Sequence, residues 1–369
     1  MRIARQLSLR DIVRSTIIAL IATVALGVTA LGSPVDRPPT AIANTATVGT
    51  ASTTLGIADS DLYFAYNDPT AVAKHLDETA ALGVHNVRLV VPWAAVEATK
   101  GQYTWGGVDN MVNAAAARGM GVLAVVTTTP TWARAANTSV YQPPTDPADF
   151  GAFVGTLAAR YPSAVSSYEI WNEPNGAISY APAPDPVGYT KLLAAAYPKI
   201  KAANSSAVVL GGVLGSVVTW GGFTLDPVDF VSQMYAAGAA GTFDALSFHP
   251  YQSSTKFSQG AALANSPLNQ VNDIRSLMVS HGDSAKKIWA TEYGLSTMQA
   301  TAAQQADFIG DFVTTWRTLS YAGPAFVYTL VDRNSADTTD AESTFGVYTD
   351  SWAEKPAAAV VRSLTGANA

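Results

Sequence analysis

Beyond residue 53 the chain alternates between short apolar runs and longer segments whose apolar positions recur with a helical period. The runs are Thr54–Ala58, Asn86–Val91, Gly121–Thr127, Ser167–Asn172, Ala207–Val213, Ala245–His249, Lys287–Glu292 and Ala325–Leu330. Each is brief and bounded by Gly, Pro, Asp or Ser, the pattern of parallel strands buried on both faces. Four of the helical segments open on Asp-Pro, at Asp68-Pro69, Asp146-Pro147, Asp185-Pro186 and Asp226-Pro227. An Asp there accepts from an orphan backbone N–H, and Pro takes the first helical position, where its missing N–H costs nothing. The last helix is expected near Pro356–Leu364. Eight strand–helix units over about 310 residues predict an α/β fold, a single closed (β/α)₈ TIM barrel. The competing open, doubly wound sheet usually carries a Gly-rich turn after its first strand. Here Gly56 is followed by Ile57-Ala58-Asp59-Ser60-Asp61. Gly211-Gly212-Val213-Leu214-Gly215 fits neither the dinucleotide fingerprint nor a phosphate-binding loop, and reads as a relaxed barrel loop after the fifth strand.

The N-terminus follows a different pattern. Arg2, Arg5, Arg10 and Arg14 precede an apolar stretch from Ile17 to about Leu31, and Val28-Thr29-Ala30 supplies small residues for a signal peptidase. Residues 1–32 therefore read as an export signal. The alternative is an uncleaved anchor, but the stretch is shorter than the ~20 residues needed to span a bilayer. Residues 33–52, rich in Pro, Thr and Ala, read as a linker. The folded domain is expected to cover 53–369.

Composition narrows the chemistry. The 369 residues contain no cysteine, which excludes disulfides, thiolate zinc sites and thiol catalysis. Charged residues make up only 14%, and the net charge of −6 becomes −9 once the first 32 residues are set aside. Nothing here provides the basic surface that a nucleic-acid partner demands. The four histidines, 75, 85, 249 and 281, are scattered, and no His-Glu-x-x-His occurs, so neither a metal nor a cofactor is expected.

In a barrel, the C-terminal strand ends carry the active site. Two acids stand there. Tyr168-Glu169-Ile170-Trp171-Asn172-Glu173-Pro174-Asn175 closes the fourth strand, and Ile288-Trp289-Ala290-Thr291-Glu292-Tyr293-Gly294 closes the seventh. Pro174 disfavours helical geometry at Glu173, which predicts an extended rim, and Gly294 permits a sharp turn after Glu292. Strands four and seven face each other across a barrel lumen, so Glu173 and Glu292 can meet over a bound substrate.

Trp171-Asn172-Glu173-Pro174, with Glu292 following 119 residues later at a strand end, resembles the large barrel clan of retaining glycoside hydrolases, above all its β-xylosidase-like and cellulase-like branches. Two further segments match those branches: Pro92-Trp93 through Val96-Glu97 to Gly101-Gln102-Tyr103-Thr104-Trp105, and Ser247-Phe248-His249-Pro250-Tyr251. The resemblance spans about residues 53–364. It implies Glu173 as acid/base, Glu292 as nucleophile and Asn172 as a ligand of the sugar 2-hydroxyl, and retaining chemistry sets the two carboxyl groups ~5–5.5 Å apart. A structural ion pair at a strand-end Glu, and a turn-stabilising amide at Asn172, are the plainer alternatives.

Arg88 lies within Val87-Arg88-Leu89-Val90-Val91, and a buried Arg must be paired. Glu292 is the natural partner, because the cation would keep a nucleophile ionised; a structural pair elsewhere in the barrel is the alternative. Tyr251 is placed to donate to Glu292, and His249 to line the acid side, against ordinary packing roles for both. Trp93, Trp132, Trp220 and Tyr328 fall at strand ends or in the following loops, where flat rings can pack on sugar faces. Tyr328 stands where the clan usually offers a Trp. Trp289 is expected to point outward to the helices, and Trp105 and Trp316 to pack in the core. Glu169 is expected to face the helices, with Glu97, Asp332 and Glu342 as loop charges.

The sequence thus predicts a secreted catalyst in one domain: a monomeric retaining glycosidase (hydrolase of O-glycosyl compounds) acting on a β-linked oligosaccharide or polysaccharide, without cofactor and without stable membrane insertion once the signal is removed. A transglycosylase on the same scaffold and a non-catalytic glycan-binding barrel are the alternatives; a pure binder has no need for a facing acid pair.

Overall fold

The computed structural model describes residues 46–367; the expected export signal, 1–32, and residues 33–45 lie outside the described residues. Eight parallel strands close in sequence order into a barrel: β1 (Leu55–Ala58), β2 (Asn86–Pro92), β3 (Gly121–Thr127), β4 (Ser167–Ile170), β5 (Val208–Gly215), β6 (Ala245–His249), β7 (Ile288–Tyr293) and β8 (Ala322–Val327). Closure is made by β8 on β1, with Leu55 opposite Ala325 and Ile57 opposite Val327. The helices are α1 (Leu62–Ala65), α2 (Pro69–Ala81), α3 (Trp93–Val96), α4 (Gly106–Ala117), α5 (Pro147–Arg160), α6 (Pro186–Ala203), α7 (Pro227–Ala236), α8 (Pro267–Ser280), α9 (Ala302–Trp316) and α10 (Pro356–Thr365). This is the (β/α)₈ TIM barrel that the alternation of runs predicts.

Local chemistry sets the helix starts. Asp68, Asp146, Asp185 and Asp226 each accept a backbone N–H of the following turn, with Pro at the first helical position. Helix α8 starts the same way with Ser266-Pro267, and α9 opens on a reciprocal Thr301–Gln304 capping box.

Period-2 alternation divides the strands between two apolar layers. Val122, Ala124 and Val126 of β3 face the helices, whereas Leu123 points inward. The inner layer also includes Ala58, Leu210, Ala245, Trp289, Phe326 and Tyr328. Val48, within the stretch expected to be linker, is buried in that layer, and its N–H donates to Ser166 Oγ at 2.9 Å.

Three expectations are corrected here. Gly211–Gly215 is not a loop but part of β5, where Gly212 (φ 81°) and Val213 (φ 55°) form an irregularity in the pairing with β6. Strand β8 begins at Ala322, because Gly323-Pro324 lies inside the strand rather than in a turn. Trp289 packs inward, not against the helices. The β7–β8 register shifts between Ala290 and Tyr293, so that Thr291 and Glu292 both face the lumen. Counting back from Glu292 therefore lands on the wrong face.

Candidate active site

The chain leaves β4 through two residues in the left-handed region, Trp171 (φ 71°) and Glu173 (φ 44°). Such a conformation costs a side-chain-bearing residue roughly 1–3 kcal/mol and persists only where its surroundings impose it. Here the Trp171 indole is buried and donates to Ser179 O at 2.6 Å, the Glu173 N–H donates to Val213 O at 2.8 Å, and Ser179 Oγ donates to Glu173 O at 2.6 Å. Pro174 does exclude a helical Glu173, but the outcome is left-handed rather than the extended rim expected. Gly215 lies directly beneath: a Cβ there would sit 3.0 Å from Glu173 Oε1. Gly294, after Glu292, serves close approach, since a Cβ would meet Tyr328 O at 2.0 Å.

Glu173 and Glu292 are 6% and 7% exposed, so both are buried yet reachable. His249 Nδ1 lies 3.0 Å from Glu173 Oε1 and 3.8 Å from Glu292 Oε2. One nitrogen this close to both holds the oxygens within about 7 Å, a span that includes the ~5–5.5 Å of retaining pairs and excludes most of the ~6.5–9.5 Å of inverting ones.

Arg88 organises the Glu292 side. Its Nη1 donates to Glu292 Oε1, its Nε to Glu169 Oε2 at 2.7 Å, and its Nη2 to Asn172 Oδ1 at 2.8 Å. The guanidinium only donates, so it fixes Asn172 with the oxygen turned inward and the NH₂ turned away. Tyr251 donates to Glu292 Oε2 at 2.9 Å. Glu169 is thus corrected: it faces the lumen, fully buried, as the second partner of Arg88.

Burial raises both catalytic-candidate carboxyls above the ordinary range, opposed by His249 at Glu173 and by Arg88 and Tyr251 at Glu292. Only Glu292 touches a permanent cation. A proton shared by the pair therefore rests on Glu173, and Glu292 carries the charge.

The aromatic candidates separate. Tyr328 lies inside the barrel, 6.2 Å from the Tyr251 ring, and its OH donates to Glu342 Oε2 at 2.8 Å. Trp220 is 51% exposed on the loop after β5, which bonds to the Glu173 loop through Leu225 N–H to Asn175 O at 2.9 Å. Trp93 is not at the mouth. Helix α3 turns it fully into the outer core against Phe150 and Phe153, with Nε1 donating to Glu97 Oε2 at 2.7 Å. Trp132 is half-buried beside it, donates to Glu97 O at 2.8 Å and has Lys100 over its ring at 4.8 Å. Trp105 and Trp316 are buried in the core.

The acids expected as loop charges are buried as well. Glu97 accepts from Trp93 and from Gly101 N–H, and Asp332 pairs with Lys355. Glu342 is raised to about 8 by burial, with the Glu292 charge adding to the rise. Thr291 and Ser247, which support His249, carry no sequence signal beyond their places beside Glu292 and His249 in the matched segments. Among the described residues no group of His, Asp and Glu is arranged to hold a metal ion.

A closed (β/α)₈ barrel with two buried glutamates meeting at its C-terminal mouth, one of them on an arginine, defines a glycosidase-type barrel. The chain belongs to the cellulase family, glycosyl hydrolase family 5, whose profile matches residues 43–322. No curated protein sequence matches it. Its barrel is similar to a family 39 glycoside hydrolase from the gut symbiont Bacteroides cellulosilyticus (TM-score 0.69, 20% identity, over 86% of this chain and 64% of that one). It is also similar to a monomeric beta-xylosidase from Caulobacter crescentus (TM-score 0.64, 17% identity, 87% and 69%). A third match is a GH5_18 protein from Streptomyces cattleya in complex with Manβ1-4GlcNAc (TM-score 0.65, 16% identity, 85% and 80%). At these identities the likeness is one of fold, and the chain spans 64% of the length of the family 39 protein.

Proposed function

We propose that the protein is a secreted, retaining glycosidase that hydrolyses a β-linked glycan through a covalent glycosyl-enzyme. The observation that carries this reading is the single His249 nitrogen in reach of both Glu173 and Glu292, with Arg88 and Tyr251 on Glu292 alone. Glu292 attacks the anomeric carbon while Glu173 protonates the departing glycosidic oxygen. Once Glu292 is esterified its charge is gone, the pKa of Glu173 falls, and Glu173 takes a proton from the water that releases the sugar. The NH₂ of Asn172, turned away from Arg88, is available to the sugar 2-hydroxyl. Trp220 offers an exposed ring on the acid side, where the leaving portion of a glycan would lie. The Arg-rich, apolar N-terminus supports export, and among the described residues no helix is long and apolar enough to cross a membrane.

The test separates the two carboxyls by role. Glu292→Gly is expected to abolish turnover of aryl β-glycosides, with azide restoring it as the α-glycosyl azide from the vacated face. Glu173→Ala is expected to spare substrates whose leaving group needs no proton, and azide is expected to give the β-product. Each loss should be ~10²-fold or more. Proton NMR of the products reads the anomers: reversed anomers swap the roles, and two fully active variants overturn the hydrolase reading.

A further inference from the structure

Behind the acid candidate lies a chain of buried hydroxyls. His249 Nδ1 is 3.0 Å from Glu173 Oε1, His249 Nε2 is 3.0 Å from Thr291 Oγ1, and Thr291 Oγ1 is 2.5 Å from Ser247 Oγ. Ser247, His249 and Thr291 are fully buried. The direction of this chain follows from counting hydrogens. If Ser247 donates to Thr291 and Thr291 donates to Nε2, every hydroxyl hydrogen is used and His249 must carry its proton on Nδ1, aimed at Glu173. If the chain ran the other way, Nε2–H would donate to Thr291 and Thr291 to Ser247. The Ser247 hydrogen would then have no acceptor among the described residues, and a buried donor without an acceptor is strongly disfavoured.

We propose that Ser247 and Thr291 are positioning residues that hold His249 as an Nδ1–H donor to Glu173 Oε1 and so reserve the other carboxyl oxygen of Glu173 for the proton exchanged with substrate and water. The proposal rests on the acid/base role of Glu173. Its value to such a cycle lies in constancy. Nδ1–H is a correct partner for Oε1 both when Glu173 is protonated on its outer oxygen and when it is ionised. A bare Nδ1 would draw the acid proton onto Oε1, away from the glycosidic oxygen, and would face the ionised carboxylate with a lone pair. No proton need leave or enter the imidazole during turnover: the proton given to the leaving group comes from Glu173 and is replaced from the attacking water.

Glu292, Arg88 and Tyr251 also face this pair, whereas the side-chain hydrogen bonds of Thr291 go to His249 and Ser247. Thr291→Val removes the hydroxyl at nearly constant shape. It is expected to lower kcat/KM by ~10-fold or more for substrates that need protonation, to leave dinitrophenyl glycosides much less affected, and to move the basic limb of the pH profile upward, because the tautomer is no longer held and the hydrogen bond from Nδ1 that favours the ionised acid is weakened. Thr291→Ser is expected to recover the wild-type profile. Equal losses for all leaving groups with an unmoved pH profile would overturn the proposal, as a packing role predicts. Should Thr291→Val not fold, the imidazole ¹⁵N shifts of the wild-type full-length protein decide directly, with His249 assigned by difference from His249→Gln. An Nδ1–H tautomer supports the proposal and an Nε2–H tautomer overturns it. That readout does not depend on activity, so absence of turnover on every glycoside would strike the functional reading and leave the tautomer question answered.

Discussion

Arg88 divides one positive charge between two carboxylates, Glu292 and Glu169, and adds a bond to Asn172. The charge on Glu169 raises the Glu292 pKa, while Arg88 lowers it. Removing the Glu169 charge should therefore favour ionised Glu292. A nucleophile is lost as pH falls through its pKa, so Glu169→Gln is expected to move the acid limb of kcat/KM to lower pH. Arg88→Lys keeps a charge but not the planar fork that reaches three acceptors at once. It is expected to move the same limb to higher pH and to lower kcat/KM by about 10²-fold. Opposite displacements of one limb, read from pH–rate profiles of the two variants, check the arrangement; displacements of equal sign would exclude it. The Arg88–Glu292 pairing was legible because a lone cation in Val87–Val91 needs a partner. Its second partner was not, since Glu169 sits within an apolar strand whose inward face cannot be assigned until the turn at Trp171 and Glu173 is known.

The elements carry the site through their irregularities. Regular stretches could be read: four Asp-Pro starts and the order of eight strands follow from local pattern. Trp289 could not, because the β7–β8 register shifts beside it and a shifted register reverses parity for everything beyond it. Trp93 follows a strand end, but one turn of helix at α3 directs it sideways into the core rather than upward. The β5 glycines acquire meaning only in three dimensions, where Gly215 makes room for Glu173. Gly215→Ala would place a methyl 3.0 Å from Glu173 Oε1, closer than ordinary carbon–oxygen contact, and the carboxyl, which also bonds His249, must give by a few tenths of an ångström. Such a displacement of the proposed acid/base is expected to cost ~10-fold or more in kcat/KM, greatest for substrates with poor leaving groups. Thermal melting should change little, because the group displaced is a side-chain end rather than backbone. A large loss of stability with unchanged kcat/KM would show instead that β5 moves and the carboxyl does not.

At the scale of the whole molecule, a barrel has two ends, and the one opposite the acids must be closed if its interior is to stay dry. Val48 belongs to the inner apolar layer and is tied by its N–H to Ser166 at the start of β4. This sets Val48, from the segment read as linker, into the lower end of the barrel, a role invisible in a sequence of small and polar residues with no period. Cleavage of an export signal near residues 31–33 would leave this plug intact. A chain that begins at Thr53 would lose it, exposing the lower ends of the inner layer and depriving Ser166 Oγ of a donor. Burial of one valine side chain contributes roughly 1.5–3 kcal/mol, and for a domain of this size each kcal/mol corresponds to about 2–4 °C or somewhat less in Tm. The chain 53–369 is therefore expected to melt several degrees below the chain 33–369, with the Glu173–Glu292 pair, at the opposite end, retaining its kcat/KM at temperatures where both remain folded. N-terminal sequencing of the exported protein, followed by calorimetry and kinetics on the two truncated chains, checks both halves. Equal Tm values would mean that Val48 closes nothing, and a loss of kcat/KM without a loss of Tm would mean that the two ends of the barrel are coupled.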